Sequence, residues 1–156
     1  MRKIVNSHRS REALIPASGY AGLLRINFPD LEEPLRDPDG DGFLWDEKEL
    51  FSLSQADRIW HFLETMPEAE LIVVHCEAGV SRSSAVAAAI ARVTGQDEYE
   101  FFESLRYHPN PRVYRLMLEA WNQRPGVTKV PVVVPEQLPL GEGTVLNADG
   151  SIADIF

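Results

Sequence analysis

A thiol and a guanidinium stand six positions apart in residues 75–83, which read HCEAGVSRS. Cys76 is the only cysteine of the chain, and a thiol becomes a good nucleophile at neutral pH when a helix N-terminus and a cationic side chain stabilise its thiolate. The residues after Cys76 can form a loop whose backbone N–H groups surround an anion, and Arg82 can grip two oxygens of a phosphate. Gly79 offers the left-handed backbone that such a turn often needs. The segment predicts covalent chemistry on a phosphate group.

The residues on either side predict the elements that position this loop. The apolar run 71–74 is typical of a buried strand in a parallel sheet, and Cys76 follows at its carboxyl end. The Ala-rich stretch 83–93, stopped by Gly95, predicts a helix. In open α/β sheets, ligands bind at the carboxyl ends of the strands. We therefore expect an α/β fold with a central, mostly parallel sheet flanked by helices and a Cys-x5-Arg phosphate-binding loop between a strand and a helix.

Hydrophobic periodicity predicts the other elements. We expect strands at Ile4–Val5 and over 23–28, a helix from residue 54 to Pro67, helices over 98–107 and 112–123, an edge strand over 130–134 and a turn over 147–150. Residues 1–125 are assigned to a catalytic domain and residues 126–156 to a C-terminal extension packed on it.

Composition limits the classes of function. The chain has 156 residues, 44% of them hydrophobic, which suits one domain with one core. A single cysteine excludes an intrachain disulfide, and a free thiol favours the reducing cytoplasm. We see neither a secretory signal nor an apolar run of membrane-spanning length. The net charge of -9 opposes nucleic acid and anionic membranes as partners, so we expect a phosphorylated protein or a small phosphomonoester as the substrate.

Residues 71–93 resemble the corresponding segment of the cysteine-dependent protein tyrosine phosphatases, above all the dual-specificity-like group and its compact prokaryotic relatives. A looser resemblance extends over 23–121 and includes the segment HPNPRVYRL. The resemblance implies that Cys76 attacks phosphorus to give a phosphocysteine, that Ser83 assists departure of the thiolate, and that His75 supports the loop. It also implies no metal and no cofactor. The phosphate-binding residues would be Glu77, Ala78, Gly79, Val80, Ser81 and Arg82.

This mechanism also needs a carboxylic acid that protonates the leaving oxygen. In the related enzymes the acid is an aspartate in a loop just after a strand, and Asp30 after the strand 23–28 fits that order, with Pro29 to stiffen the loop. Asp30 lies 46 positions before Cys76 (76 minus 30), longer than the usual gap, whereas Asp46 lies 30 before it (76 minus 46). We assign the acid to Asp30, with an insertion after it, and keep Asp46 as the alternative.

The insertion contains a pattern similar to a calcium loop. Asp37, Asp39 and Asp41 alternate before Gly42, but the twelfth position is Lys48 where such a loop has a bidentate glutamate. We favour a solvated acidic turn and expect no metal ligand, while calcium binding stays open as the alternative. Asn110 before Pro111 is interpreted as a helix cap.

Two other classes of function remain as alternatives. Rhodanese-like sulfurtransferases and arsenate reductases use a similar cysteine and arginine but lack an acid of the Asp30 type or place the cysteine elsewhere. A non-catalytic phosphopeptide-binding module would keep Arg82 and the loop amides without an activated thiol. Phosphoinositides are disfavoured as substrates because the loop contains Glu77 and no lysine.

Overall fold

The computed structural model describes residues 2–7, 21–65, 67–137, 145–146 and 152–153. The architecture is mixed α/β, which confirms the predicted class. The strands are β1 Arg2–Ser7, β2 Gly22–Ile26, β3 Leu35–Arg36, β4 Phe43–Trp45, β5 Leu71–Cys76, β6 Val145–Leu146 and β7 Ile152–Ala153. The helices are α1 Leu53–Glu64, α2 Arg82–Thr94, α3 Tyr99–Phe102 and α4 Pro111–Gln123, and a 3-10 turn covers Glu47–Glu49.

Three strands form one sheet in the order β2-β1-β5, and both pairings are parallel. Ser7 of β1 pairs with Ile26 of β2 and with Cys76 of β5. The carboxyl ends of the strands therefore lie at one edge of the sheet. Because β2 leads into Asp30 and β5 ends at Cys76, this register brings the two segments to the same edge.

Helices α1, α2 and α4 enclose an apolar core behind this edge. Three of the four α2 residues buried in this core are alanines, Ala85, Ala88 and Ala89, which lets neighbouring elements approach closely. The indole Nε1 of Trp60 in α1 donates to the Met117 carbonyl of α4 at 2.8 Å. The loop aromatic pair Phe28 and Phe51, with ring centroids 4.6 Å apart, extends the core toward the sheet edge.

The predicted helix over 98–107 is wrong in length, because only Tyr99–Phe102 is helical. The Ser104 hydroxyl accepts a hydrogen bond from the N–H of Arg106 at 3.0 Å. Such a side chain-to-backbone bond competes with the helical hydrogen-bond ladder. Residues 103–110 are consequently irregular and run to the sheet edge instead of continuing the helix.

The strand expected over 130–134 is also absent from the described residues, where 127–137 are irregular. The Asn122 side chain takes the place of a strand partner, since it accepts from the N–H of Val130 at 2.9 Å and donates to the Val130 carbonyl at 2.7 Å. Pro131 and Pro135 cannot donate to a ladder. The expected turn over 147–150 lies outside the described residues. Within the ranges that the structure describes, no helix is long and apolar enough to cross a bilayer.

Candidate active site

Cys76 lies at the carboxyl end of β5 and is 2% exposed. The N–H of Gly79 points at its sulfur, with a nitrogen–sulfur distance of 3.2 Å. The Ser83 hydroxyl oxygen lies 3.1 Å from the same sulfur. Both contacts are favourable to a sulfur that carries negative charge, because each polar hydrogen can be directed at it.

Gly79 makes the turn after Cys76 possible through its backbone. Its φ of +74° is in the left-handed region, which residues with a Cβ adopt at a cost. A Cβ at this position would meet no atom within 4 Å. The requirement for glycine is therefore conformational, and the space around it is open.

The carbonyls of Val80 and Ser81 accept hydrogen bonds from residues that follow the loop. The Val80 carbonyl accepts from the N–H of His108 at 3.0 Å and from the Ser84 hydroxyl, and the Ser81 carbonyl accepts from the N–H of Asn110 at 3.3 Å. In a trans peptide the C=O and the following N–H point in opposite directions. The N–H groups of Ser81 and Arg82 therefore point away from these neighbours.

The amides of residues 77, 78, 80 and 81 donate no hydrogen bond to any atom within 21–65 and 67–137. Helix α2 begins directly afterwards at Arg82, and its N-cap residue Ser81 makes no side-chain capping bond. The loop and the first turn of α2 thus present a set of uncommitted N–H donors. Such a set, at the positive end of a helix dipole, is suited to an anion.

Arg82 is 6% exposed and only part of its guanidinium is used. Nη1 donates to the Phe28 carbonyl at 3.1 Å, which ties α2 to the end of the β2 segment. Nη2 lies 3.6 Å from the carboxylate of Glu77, whose side chain is 63% exposed. The buried Nε has no hydrogen-bond partner among the described residues.

Asp30 reaches the same place from the loop after β2. Its Oδ1 accepts from the Ser81 hydroxyl at 2.8 Å and from the Asn110 amide at 2.8 Å. Asp30, Cys76 and Arg82 line one cavity of about 490 Å³, the cleft. Its other walls come from residues 31–33 and from 105–108, with Ala78, Val80, Ser81, Asn110 and Pro111 between them.

Asp46, the alternative acid, does not line this cleft. Its carboxylate caps the 3-10 turn by accepting from the N–H of Lys48 at 3.1 Å, and it forms an ion pair with the Lys48 ammonium at 2.7 Å. The hydrogen bond from Lys48 and its positive charge lower the pKa of Asp46. A lowered pKa is the reverse of what a proton donor at neutral pH needs.

The aspartates of the insertion shape a turn between β3 and β4. The Asp37 carboxylate accepts from the N–H of Asp39 at 3.0 Å, and the Asp37 N–H donates to the Gly42 carbonyl at 3.1 Å. Across residues 21–65 and 67–137, no group of three or more His, Cys, Asp or Glu side chains is arranged to hold a metal ion.

His75, expected to support the loop, is partly buried as the penultimate residue of β5. It lines a second cavity of about 300 Å³ together with Gly79, Ser83 and Ser84. Its supporting role stays a prediction.

Asn110 makes two side-chain contacts, of which the sequence predicts only one. Its Oδ1 accepts from the N–H of Val113 at 3.1 Å, which confirms the helix cap of α4. The amide Nδ2 in addition contacts Asp30, which lies 80 positions earlier in the chain. An Asn-Pro pair indicates the cap, but no local signal indicates the second contact.

Comparisons of the chain with models of protein families, with curated proteins and with solved structures return no match.

Proposed function

We propose that this protein is a phosphomonoester hydrolase of the cysteine-dependent protein tyrosine phosphatase type, acting either on phosphotyrosine alone or, as a dual-specificity enzyme, also on phosphoserine and phosphothreonine. The observation that carries the proposal is the cleft in which Cys76, Arg82 and Asp30 meet. A nucleophile, a cation for the phosphoryl oxygens and a carboxyl for the leaving group are the three parts that this chemistry requires.

The donors around Cys76 support a dianionic substrate. The uncommitted amides of the 76–82 loop and the buried Nε of Arg82 offer hydrogen bonds that the described residues leave unused. A buried donor without a partner costs about 1–3 kcal/mol. A phosphate placed against Cys76 removes that cost by accepting from Nε and from the loop amides.

In the first step the Cys76 sulfur attacks phosphorus and the bond to the leaving oxygen breaks. Asp30 gives its proton to that oxygen, so the alcohol or phenol leaves neutral. Arg82 and the loop amides hold the three equatorial oxygens while charge spreads over them.

In the second step water attacks the phosphocysteine, Asp30 takes a proton from the water, and the sulfur–phosphorus bond breaks to release inorganic phosphate. The Ser83 hydroxyl, 3.1 Å from the sulfur, donates to the departing thiolate. A free thiol of this kind needs a reducing compartment, so the proposal includes a cytoplasmic location.

Hydrolysis of para-nitrophenyl phosphate by three variants tests the proposal. Cys76→Ser is expected to abolish turnover, and Asp30→Ala to lower kcat by about 10²–10⁴-fold and to remove the alkaline limb of the pH profile, because that limb reports loss of the acid's proton. Asp46→Ala is the matched control and is expected to keep both kcat and the limb.

Four results would contradict the proposal. Full turnover by Cys76→Ser would exclude covalent phosphotransfer. Loss of the limb in Asp46→Ala alone would move the acid to Asp46. Conversion of thiosulfate and cyanide to thiocyanate without phosphate release would favour the sulfurtransferase, and tight phosphopeptide binding without turnover would favour the binding module.

A further inference from the structure

Both the oxygen and the nitrogen of the Asn110 side-chain amide form hydrogen bonds. The residue is 4% exposed, and its Oδ1 caps α4 through the N–H of Val113. Its Nδ2 donates to Oδ1 of Asp30 at 2.8 Å. A side chain fixed at one end by a helix terminus holds the donor at its other end in a defined place.

The two oxygens of Asp30 are not equivalent. Oδ1 accepts two hydrogen bonds, one from Asn110 and one from the Ser81 hydroxyl at 2.8 Å. No residue within 21–65 and 67–137 forms a hydrogen bond to Oδ2. An oxygen that already accepts two hydrogen bonds has little capacity left to carry a proton of its own. The Nδ2 group of Asn110 can only donate, so its contact requires Oδ1 to stay an acceptor.

We propose that Asn110 and Ser81 are positioning residues that hold Oδ1 of Asp30 as an acceptor and thereby place the transferable proton on Oδ2. The inference deepens the proposed function and rests on it, since it takes Asp30 as the general acid. In the first step Oδ2 gives its proton to the leaving oxygen, and the remaining negative charge is stabilised by the two donors on Oδ1. In the second step Oδ2 takes a proton from the attacking water.

The arrangement also ties the acid to the phosphate-binding loop. Ser81 supplies the hydroxyl to Asp30, while its carbonyl accepts from the N–H of Asn110 at 3.3 Å. Asp30, Ser81 and Asn110 therefore form a closed set of three contacts. A shift of the loop would displace the acid together with the phosphate site, so their positions relative to each other would be kept.

A double-mutant cycle between Asp30→Ala and Asn110→Asp tests the inference. Asn110→Asp keeps the size of the side chain and an acceptor for the N–H of Val113, but it replaces the donor to Asp30 with a second carboxylate. The substrates are aryl phosphates whose leaving phenols span a range of acidity, because a poorer leaving group depends more on the acid.

With the least acidic phenol, Asn110→Asp is expected to lower kcat between about 10- and 100-fold, with a smaller loss for para-nitrophenyl phosphate. In the Asp30→Ala background it is expected to cause no further loss, since there is no proton left to position. Asn110→Ser, which keeps a helix cap and lacks the reach of the amide, is expected to lose activity with the same dependence on the leaving group.

Two outcomes would overturn the inference while leaving the proposed function in place: a loss in Asn110→Asp that is the same for every phenol, or an equal loss in the presence and absence of Asp30. Either would show that Asn110 supports only the fold. If Asp30→Ala itself shows no dependence on the leaving group, Asp30 is not the acid, and both this inference and the acid step of the proposed function fail. Circular dichroism at the assay temperature identifies any variant that is unfolded.

Discussion

Arg82 uses one nitrogen of its guanidinium in a structural hydrogen bond and leaves another for the proposed phosphate. Nη1 fastens the start of α2 to the Phe28 carbonyl, while the buried Nε is left without a partner among the described residues. The planar guanidinium keeps these directions fixed relative to one another, so the bond to Phe28 also aims Nε. A lysine would carry the same charge but no second donor at a fixed angle.

Arg82→Lys is expected to reduce kcat/KM for para-nitrophenyl phosphate by about 10²–10³-fold, the usual cost of losing one donor to a developing oxyanion. Arg106→Lys is the matched control, because Arg106 lines the same cleft but is exposed, with its guanidinium carbon 5.6 Å from the centre of the Tyr107 ring. Equal losses in both variants would mean that the cleft needs positive charge and no particular geometry.

At the scale of elements, a buried carboxylate connects α2, α3 and α4. Glu98, 4% exposed, accepts from Arg92 at 2.7 Å and from the Tyr114 hydroxyl at 2.6 Å. The rings of Phe102 and Tyr114 meet edge to face with centroids 5.0 Å apart. Burial raises the pKa of Tyr114, and the hydrogen bond to Glu98 raises it further. Because both oxygens of Glu98 are paired, the network holds α4 and its Asn110 cap against α2.

Tyr114→Phe is expected to lower the free energy of unfolding by about 1.5–3 kcal/mol, since it removes a buried hydrogen bond to a charged group. The exposed Tyr99 provides the control Tyr99→Phe, with an expected change near zero. Because the folded state raises the pKa of Tyr114, the difference in free energy of unfolding between the wild type and Tyr114→Phe is complete below the unfolded pKa of about 10. This difference declines as the pH rises above that value.

Urea unfolding of the wild type and both variants, at neutral pH and again above about pH 10, measures this difference. Equal stability of the two variants at neutral pH, or an advantage that grows with alkali, would contradict the account of the network.

At the scale of the whole molecule, the cleft is assembled from three separate stretches of chain. The first stretch, residues 30–33, follows β2. The second runs from the last residue of β5 to the first residue of α2, and the third, residues 105–111, ends at the first residue of α4. The parallel register of the sheet brings the first two together at one edge. The third reaches the cleft because α3 ends at Phe102, which leaves residues 103–110 free of the helix to contact the 76–82 loop. Each wall therefore depends on where a regular element stops.

Local patterns explain what could be predicted. The Cys76 to Arg82 spacing, the glycine at position 79 and the small-residue helix after them are contained in one short segment, and α4 has both a strong cap and a helical period. The choice between Asp30 and Asp46 depends on which carboxylate reaches the cleft. In the sequence, the distance to Cys76 favours Asp46, whereas the position directly after a strand favours Asp30. The Asp30–Asn110 contact joins residues 80 positions apart, and the sequence around neither residue predicts it. Helix α3 is short because the Ser104 hydroxyl competes with the helical hydrogen bonds for the backbone N–H of Arg106. A hydrophobic period does not predict this competition.

The most direct test of the central claim is to trap the covalent intermediate. The Asp30→Ala protein, which lacks the proposed base for the second step, is mixed with para-nitrophenyl phosphate, quenched in acid and examined by mass spectrometry of its peptides. We predict the added mass of one phosphoryl group on the peptide that contains Cys76, and no such addition in Cys76→Ser. Continued hydrolysis by Cys76→Ser, or turnover with no adduct on Cys76 at any quench time, would contradict the account.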